Sequence, residues 1–495
     1  MEPGPLSLAP VLLSLVLALA FRQVLFGLFA GVLLGTALLT PDPHLGLLAS
    51  VFRDQLRPQL MDGYNASVIL LLAVIGSFVA LLERSGGAQA FAEGAVRRLK
   101  SARQLQLGAY GGGLLIFFSD LGTPLILGPI FRPLFDRAGL LRARLSLILD
   151  ATAAPIAILV PFIGWGVYIM SLVAQTPPGA GPEAPYALLL GALPFQFYAW
   201  LALALIPLLA FTGGHFGTRG ASETPSKAPE PKASAAEPPE AEPQPHHPWQ
   251  ASLLWAPLAV LGIALFAMLG PEGFPFAPLP GADFRAGLAA AYALATVTLV
   301  LLALALRILP FATLMESAIT GATRMTPVVA TLLMAWTLAD LGEALGAPRY
   351  VAETVLADFP VALLPAAAFL LGALISFATG SSWGTFALLI PLLLPAAASL
   401  EGPVALTLAA ILSGGLFGDH ASPLSETTIL AASGAELSTF EHFRHQWPYA
   451  TVNGALALGA FLVAGALPEP WLLLPLLLVQ AGVWVALFRR ARARP

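Results

Sequence analysis

Apolar runs of roughly the length of a membrane-spanning helix recur along the whole chain. Such a helix needs about 20 predominantly apolar residues. Only 11% of the residues are charged and 57% are hydrophobic, whereas a soluble domain carries about 25% charged residues. The sequence therefore predicts an all-α polytopic membrane protein. Its apolar runs lie near residues 5–20, 24–40, 67–82, 104–118, 145–173, 185–212, 251–270, 285–308, 325–342, 359–378, 384–399, 404–417, 447–467 and 471–488.

Residues 213–248 interrupt this pattern, because they are rich in Pro, Ala, Glu and Ser and have almost no large apolar side chains. Such a segment cannot bury a core and is typical of a disordered linker. We expect it to separate an N-terminal transmembrane half, residues 1–212, from a C-terminal half, residues 249–495.

Positive charge in short loops predicts orientation. The C-terminal tail carries Arg489, Arg490, Arg492 and Arg494, which places it in the cytoplasm. Counting back, the linker and a loop flanked by Arg307 and Arg324 are cytoplasmic, and the N-terminus is outside the inner (cytoplasmic) membrane. This topology requires residues 104–135 and 359–399 to return to the side they entered from, each as a re-entrant hairpin or a pair of short crossings. It gives roughly 11 crossings plus two hairpins.

The two returning segments resemble each other. Residues 122–133 share Gly, Thr, Leu and two Pro with residues 384–395, and Ser119 falls on Ser381 at the same offset. Residues 150–155 echo residues 419–423 with a different gap. Chance similarity in a Gly- and Pro-rich chain is the alternative explanation. Because the segments enter from opposite sides, we expect two inverted-topology repeats, an arrangement common in secondary transporters.

Four acidic residues lie at predicted membrane depth in helices broken by Pro or Gly: Asp120, Asp150, Asp419 and Glu426. A charge at the bilayer centre costs about 2.5–3.5 kcal/mol and marks a functional site by default. A partner, a bound cation or a proton must offset that cost. We expect the Asp120 and Asp419 stretches to face each other across one ion or substrate site.

Simpler roles stay open for each acidic residue. Asp120 and Asp419 could pair with Arg132 or Arg324, or cap a helix. Asp150 could be an N-cap near a membrane face. Glu426 could be a helix-start charge that interacts with the helix dipole.

Hydroxyl side chains accompany the carboxylates, and a small hard cation prefers carboxylate, hydroxyl and carbonyl oxygens. We predict a sodium site that uses Asp120, Asp150, Asp419 and Ser381. His420 could titrate near neutral pH and sense protons, or be a hydrogen-bonded structural residue. The candidate neutral ligands are Ser119, Thr123, Thr152, Thr379, Ser381, Ser382, Thr385, Ser422 and Ser425.

Other function classes lack support. The chain has no Cys, so it has no thiol nucleophile or thiolate metal site. It has no GxxxxGK[ST] pattern, so ATP-driven pumping is unsupported. Its net charge of −4 gives no sign of nucleic acid binding. We therefore expect a non-enzymatic transporter without a cofactor, driven by an ion gradient.

The stretch Gly418-Asp419-His420-Ala421-Ser422-Pro423-Leu424-Ser425-Glu426-Thr427-Thr428-Ile429-Leu430 resembles the GDHCSPISDTTILSS signature of the NhaC family of sodium/proton antiporters. Residues 378–386 resemble that family's ATGTSWGT stretch, and residues 132–136 and 149–155 resemble its RPxxD and DSTAAP stretches. The resemblance implies sodium/proton exchange, an ion-transporter-superfamily fold with scaffold and transport subdomains, an elevator-like motion and a homodimer.

This sequence departs from the family pattern in places. Where the family reads FDDYxN, residues 118–123 read FSDLGT, and Glu426 and Ala421 replace an Asp and a Cys. The same family resembles malate/lactate exchangers and amino-acid permeases. The alternative is thus a sodium- or proton-coupled carrier of a small organic anion or amino acid, whose carboxylate would be held by backbone N–H groups around Ser381 at a helix N-terminus.

Overall fold

A computed structural model describes residues 4–40, 46–96, 99–175, 184–213, 247–275, 279, 281–355 and 359–493. Within these ranges the chain is helical and has no β-strand, which confirms the predicted all-α class. The expected linker falls almost entirely at 214–246, outside the described residues. Its disorder and the division into two halves therefore stay predictions.

Thirteen α-helices precede the gap at 214–246, and short 3₁₀- or π-helical turns link several of them. They are α1 (Ala9–Phe21), α2 (Val24–Leu39), α3 (Leu47–Ser50), α4 (Arg57–Met61), α5 (Gly63–Arg84), α6 (Gly87–Val96), α7 (Ala102–Leu115), α8 (Gly122–Arg137), α9 (Arg142–Ala151), α10 (Ala154–Ala157), α11 (Gly164–Val173), α12 (Ala184–Ala192) and α13 (Phe197–Thr212).

Eleven α-helices follow the gap. They are α14 (Ser252–Leu269), α15 (Gly281–Ala305), α16 (Phe311–Arg324), α17 (Thr326–Ala344), α18 (Ala347–Tyr350), α19 (Leu364–Thr379), α20 (Ser382–Ser399), α21 (Val404–His420), α22 (Glu426–Gly434), α23 (Thr439–Ala466) and α24 (Leu473–Ala493).

The helices on either side of the gap pack extensively on each other. Helix α5 contacts α15 and α16, α2 contacts α17, and α8 contacts α22. One continuous apolar core runs through both sets of helices. Helices from the two sides of the gap are therefore interleaved, and side chains far apart in sequence can meet in one buried site.

Eight helical segments of the described chain are long and apolar enough to cross a membrane, or nine if the bent pair Pro185–Phe195 and Phe197–Thr212 forms one span. Four shorter apolar helices, Pro5–Phe21, Val24–Leu39, Gly164–Val173 and Val404–His420, lie among them. The protein is thus a multi-span membrane protein. The figure of 11 crossings stays a prediction.

Residues 311–324 form a helix, α16, where the sequence suggested a cytoplasmic loop between Arg307 and Arg324. Together with α17 this helix makes a candidate span from Phe311 to Ala344, 34 residues long. Helix α16 is polar on one side and apolar on the other, and its apolar Leu314 is fully buried. The loop prediction was wrong. Polar residues, which include Glu316 and several Thr and Ser, interrupt the apolar pattern from which a helix is predicted.

The chain breaks where the sequence predicted returning segments. Residues 116–121 separate α7 from α8, and Gly380, with φ of +68°, separates α19 from α20. A left-handed φ of this kind suits glycine, which has no Cβ. The α19 segment (Val361–Thr379) and α20 (Ser382–Ser399) are each long enough to span a membrane. The returning hairpins and the inverted repeat stay predictions.

Helices α19 and α21 pack closely on each other, and small residues allow their backbones to approach. A Cβ at Gly414 would lie 2.2 Å from the carbonyl oxygen of Phe369. Small residues at membrane helix interfaces generally serve this purpose. The close contact fixes the end of α21, which carries Asp419, against the end of α19.

We predict that Gly414→Ala destabilises the protein, although alanine favours helices, because the added methyl meets backbone that cannot move away. Overpacking of this kind costs about 1–3 kcal/mol. Thermal unfolding of detergent-purified protein measures the change. Gly459→Ala is the matched control, because a Cβ there meets nothing within 4 Å. Equal stability of both variants would contradict this packing account.

Candidate functional site

Asp419 is the second-to-last residue of α21 and is only 4% exposed. Its Oδ1 accepts a hydrogen bond of 2.8 Å from the Ser425 hydroxyl, and its Oδ2 accepts one of 2.9 Å from Thr427. Ser425 also caps the N-terminus of α22. The break after α21 therefore turns the chain back so that hydroxyls from the next helix reach the carboxyl group.

The end of α19 lies against this break. A Cβ at Gly380 would lie 2.6 Å from the Leu424 carbonyl oxygen. The Ser422 hydroxyl donates to the Phe377 carbonyl at 2.8 Å and accepts from Leu424 N at 3.2 Å. The segment around Gly380 and the segment after Asp419 thus pack against each other. The expected facing of the Asp120 and Asp419 stretches across one site stays a prediction.

Asp150 occupies the corresponding place in α9, as its second-to-last residue, and is fully buried. Its Oδ2 accepts a hydrogen bond from Gln446 Nε2 and lies 3.2 Å from His442 Nε2. The second His442 ring nitrogen, Nδ1, lies 2.8 Å from the Ser146 hydroxyl. The alternative role of Asp150 as an N-cap is wrong, because the residue lies at the opposite end of its helix.

Asp120 lies in the break between α7 and α8 and is partly buried. Its Oδ2 accepts a hydrogen bond of 3.0 Å from Trp165 Nε1, and its Oδ1 accepts one of 3.1 Å from Leu121 N. The neighbouring Ser119 hydroxyl donates to Glu83 Oε1 at 2.7 Å. Asp120 is therefore tied to α11, and Ser119 to α5.

The charge of Asp419 interacts with that of Asp150 and, less strongly, with that of Asp120. Each aspartate has a separate set of hydrogen-bond partners. In the part of the chain that the structure describes, no group of three His, Cys, Asp or Glu residues is arranged to hold a metal ion. The sodium site predicted from Asp120, Asp150, Asp419 and Ser381 stays a prediction.

The two arginines considered as partners pair elsewhere. Arg132 forms an ion pair with Glu436, and Arg324 forms one with Glu83 at 3.2 Å. Within the described ranges, Asp120 and Asp419 form no salt bridge with an arginine or lysine. A fixed cation therefore does not account for either carboxyl group.

Glu426 is exposed at the first position of α22, as its helix-start alternative predicted, and it interacts electrostatically with Asp120. His420 is 3% exposed, and its Nδ1 lies 3.3 Å from the Tyr198 hydroxyl. These positions are compatible with an ion-linked role and with a structural role for both residues.

Most candidate neutral ligands bond to backbone, either within their own segment or on a neighbouring helix. Ser381 caps α20 through Gly384 N at 3.2 Å, and Ser382 donates to the Gly415 carbonyl at 3.2 Å. A hydroxyl that donates one such bond keeps lone pairs for an ion. Thr123, Thr152, Thr379 and Thr385 donate to carbonyls three to seven residues earlier in the chain.

Sequence reasoning did not anticipate the contacts made by α23 and α11. His442 and Gln446 are one helical turn apart and both face Asp150, so their spacing of four was the available signal. Trp165, which donates to Asp120, was not among the candidate site residues. Thr427 is one of the hydroxyl residues that accompany the carboxylates, but it was not among the candidate ligands.

A polytopic helical protein whose buried carboxyl groups lie at broken helices belongs to the class of secondary transporters. The sequence model of the Na+/H+ antiporter family matches residues 156–466. The chain belongs to this family, as the NhaC resemblance predicted.

Individual comparisons identify similar proteins over most of the chain or over part of it. An uncharacterized protein of Haemophilus influenzae is 30% identical over 480 residues, which cover 92% of this chain and 90% of that protein. The arginine/ornithine antiporter ArcD of Halobacterium salinarum is 37% identical over 110 residues, 22% of each chain. The fold is similar to that of Neisseria gonorrhoeae MtrF, with a TM-score of 0.58 over 84% of each chain at 14% identity.

We predict that Ser425→Ala destabilises the protein more than Ser438→Ala does. Both serines cap a helix, α22 and α23 respectively, and a lost cap costs about 1 kcal/mol. Only Ser425 also donates to buried Asp419. Leaving that carboxyl oxygen without its hydrogen bond costs about 1–3 kcal/mol of stability in addition. Thermal unfolding in detergent measures both losses. Equal losses would show that the Asp419 bond contributes nothing.

Proposed function

We propose that this protein exchanges sodium for protons across the cytoplasmic membrane. The observation that carries the proposal is Asp419, a buried carboxyl group that accepts two hydroxyl hydrogen bonds and pairs with no arginine or lysine of the described chain. Its place in the last turn of α21 exposes it to the negative end of the helix dipole, which disfavours an anion. A cation or a proton at Asp419 removes that penalty.

The Asp419 carboxyl group can bind either sodium or a proton, and each ion weakens the binding of the other. A proton occupies an oxygen lone pair that sodium would use, and sodium repels the proton. Because one of the two must be present for the buried group to be stable, binding of one ion displaces the other. This competition couples sodium movement to proton movement in opposite directions.

The surrounding groups have supporting roles in this proposal. Ser381, Thr385 and Ser422 supply neutral oxygens, and Asp120 and Asp150 add negative potential that attracts a cation. Glu426, exposed at the start of α22, would draw cations toward Asp120. The homodimer, the outside N-terminus and the cytoplasmic C-terminus belong to the same proposal as expectations from the sequence.

A second candidate is a sodium- or proton-coupled carrier of a small organic anion or amino acid. The similarity to an arginine/ornithine antiporter favours it. So does the aromatic surface beside Asp120, where the Trp165 and Trp383 rings are 4.7 Å apart. A carboxylate next to indole rings suits an organic ammonium group, because the ring faces attract cations.

The proposal predicts that vesicles containing the purified protein show proton flux when sodium is added outside, and that Asp419→Asn abolishes the flux. Asparagine keeps the shape of the side chain but cannot carry the charge that binds sodium or a proton. A pH-sensitive dye inside the vesicles records the flux. Asp283→Asn, at an exposed aspartate in α15, is the matched control and retains full activity.

Two results would contradict sodium/proton exchange. One is the absence of flux with sodium, lithium or potassium in vesicles that take up labelled arginine or malate, which would establish the second candidate. The other is full activity of Asp419→Asn, which would move the ion site elsewhere in the molecule.

We also predict that Thr427→Val weakens sodium binding about tenfold, because a lost hydrogen bond to a charged group costs roughly 1.5–3 kcal/mol and each 1.4 kcal/mol is a factor of ten. Valine keeps the shape of threonine without the hydroxyl that orients Asp419. Stabilisation against heat as a function of sodium concentration measures the affinity. Thr451→Val is the control, because its hydroxyl bonds only to the Trp447 carbonyl, at 2.8 Å. Equal affinities of the two variants would refute a role for Thr427.

A further inference from the structure

Glu83, the second-to-last residue of α5, contacts the break that carries Asp120. Its Oε1 accepts a hydrogen bond of 2.7 Å from the Ser119 hydroxyl. The Ser119 oxygen in turn accepts a hydrogen bond of 2.9 Å from Gly122 N, at the start of α8. Glu83 was not among the candidate site residues. The structure thus places an additional carboxylate against a candidate sodium ligand.

The contact depends on the glycine that begins α8. A Cβ at Gly122 would lie 2.7 Å from Glu83 Oε1 and 2.7 Å from Ser119 Oγ. Both distances are too short for a carbon and an oxygen, so any side chain at residue 122 would push the carboxylate and the hydroxyl apart. Glycine at this position therefore allows α5 to meet the start of α8 at this hydrogen bond.

The second oxygen of Glu83 is held by α16. Glu83 Oε2 lies 3.2 Å from Nη1 of Arg324, the last residue of that helix. Helices α5 and α16 are packed so closely that a Cβ at Gly321 would lie 2.2 Å from the Gly76 carbonyl oxygen. Arg324 is 61% exposed, and an exposed ion pair contributes little to stability. The ion pair therefore orients Glu83, and the hydrogen bond to buried Ser119 is its contact on the inner side.

The direction of the Ser119 hydroxyl follows from its two partners. A serine hydroxyl has one hydrogen and two lone pairs, a carboxylate can only accept, and an amide N–H can only donate. The hydrogen is therefore directed to Glu83, and one lone pair is directed to Gly122 N. The second lone pair is left for another partner, and oxygen ligands suit a small hard cation.

Asp120 is the next residue in the chain, and its carboxylate makes this direction important. Its oxygens accept from Trp165 Nε1 and from Leu121 N, and a carboxylate has further lone pairs. Without Glu83, the Ser119 hydrogen would be free to turn toward Asp120 and satisfy one of these lone pairs. The serine would then compete with a cation for Asp120 instead of binding the cation.

We propose that Glu83 is a positioning residue of the cation site: it accepts the Ser119 hydrogen and so leaves the serine oxygen as a sodium ligand beside Asp120. This inference rests on the proposed exchange of sodium for protons and adds a residue of α5 to that site. Glu83 acts through Ser119 and makes no contact with the ion. Its effect on sodium binding therefore disappears when residue 119 has no hydroxyl.

The test is a double-mutant cycle on the full-length protein with Glu83→Ala, Ser119→Ala and the double variant. Stabilisation against heat as a function of sodium chloride concentration, with choline chloride as the reference salt, measures sodium affinity. We expect each single variant to weaken sodium binding about tenfold, the loss for one interaction with a charged group. The double variant binds sodium no more weakly than either single variant, because the effects of residues that act through one contact are not additive.

Two further replacements of Glu83 separate the hydrogen bond from the charge. Glu83→Gln keeps an acceptor oxygen for Ser119, and we expect its sodium affinity to stay close to that of the unmodified protein. Glu83→Met has a similar length without an acceptor oxygen, and it replaces Glu83→Ala in the cycle if the alanine variant does not fold. Glu316→Ala, at an exposed acidic residue of α16, is the matched control and leaves sodium affinity unchanged.

Three results would overturn the positioning role. Losses that multiply to about 100-fold in the double variant would show that Glu83 acts independently of Ser119. A Glu83→Gln variant as weak as Glu83→Ala would assign the effect to charge alone. Full sodium affinity of either single variant would show that the hydrogen bond does not serve the ion.

The proposed exchange fails on a different observation. If sodium stabilises the protein and the cycle is not additive, but vesicles show no proton flux, the positioning role is supported and sodium/proton exchange fails. If sodium does not stabilise the unmodified protein, both proposals fail.

Discussion

The constraint on which the structure depends is a buried carboxyl group at the carbonyl end of a helix. Asp419 and Asp150 are each the second-to-last residue of their helices, α21 and α9. The exposed carbonyl groups there repel an anion, and burial removes the water that would otherwise screen it. Each group therefore requires a positive charge, a proton or several hydrogen-bond donors. In our proposal, the site at Asp419 exchanges one bound ion for another and is not left empty.

The rest of the fold holds these carboxyl groups in place. The close approach of α19 and α21 at Gly414 positions the end of α21. The capped start of α22 brings Ser425 and Thr427 back to Asp419. One helix, α23, supplies both side-chain partners of Asp150, His442 and Gln446, and His442 follows Asp150 by 292 residues. The packing of helices from both sides of the gap is therefore what brings Asp150 together with His442 and Gln446.

Much of this could be predicted from the sequence, because it depends on local pattern. The apolar runs predicted the helices, and the polar stretch after Gly418 predicted the break and the site carboxyl group. The motifs around Ser381 and Asp419 predicted the family, which the comparison confirmed.

The features that could not be predicted from the sequence depend on tertiary contacts. The sequence predicted a loop at residues 311–324 because polar side chains on one face of the helix interrupt the apolar run. The contact between His442 and Asp150 could not be predicted. The sequence shows only that His442 and Gln446 are four residues apart. Asp150 was open to interpretation as a cap because its position within the helix depends on where α9 ends.

The central claim is that sodium replaces a proton on a buried carboxyl group at Asp419. Infrared difference spectroscopy of the purified protein, with sodium exchanged for choline, tests it most directly. Our account predicts that sodium removes a signal of protonated carboxylic acid and adds one of carboxylate, and that Asp419→Asn loses this change. A spectrum without a carboxyl signal, or the same change in Asp419→Asn, would contradict it.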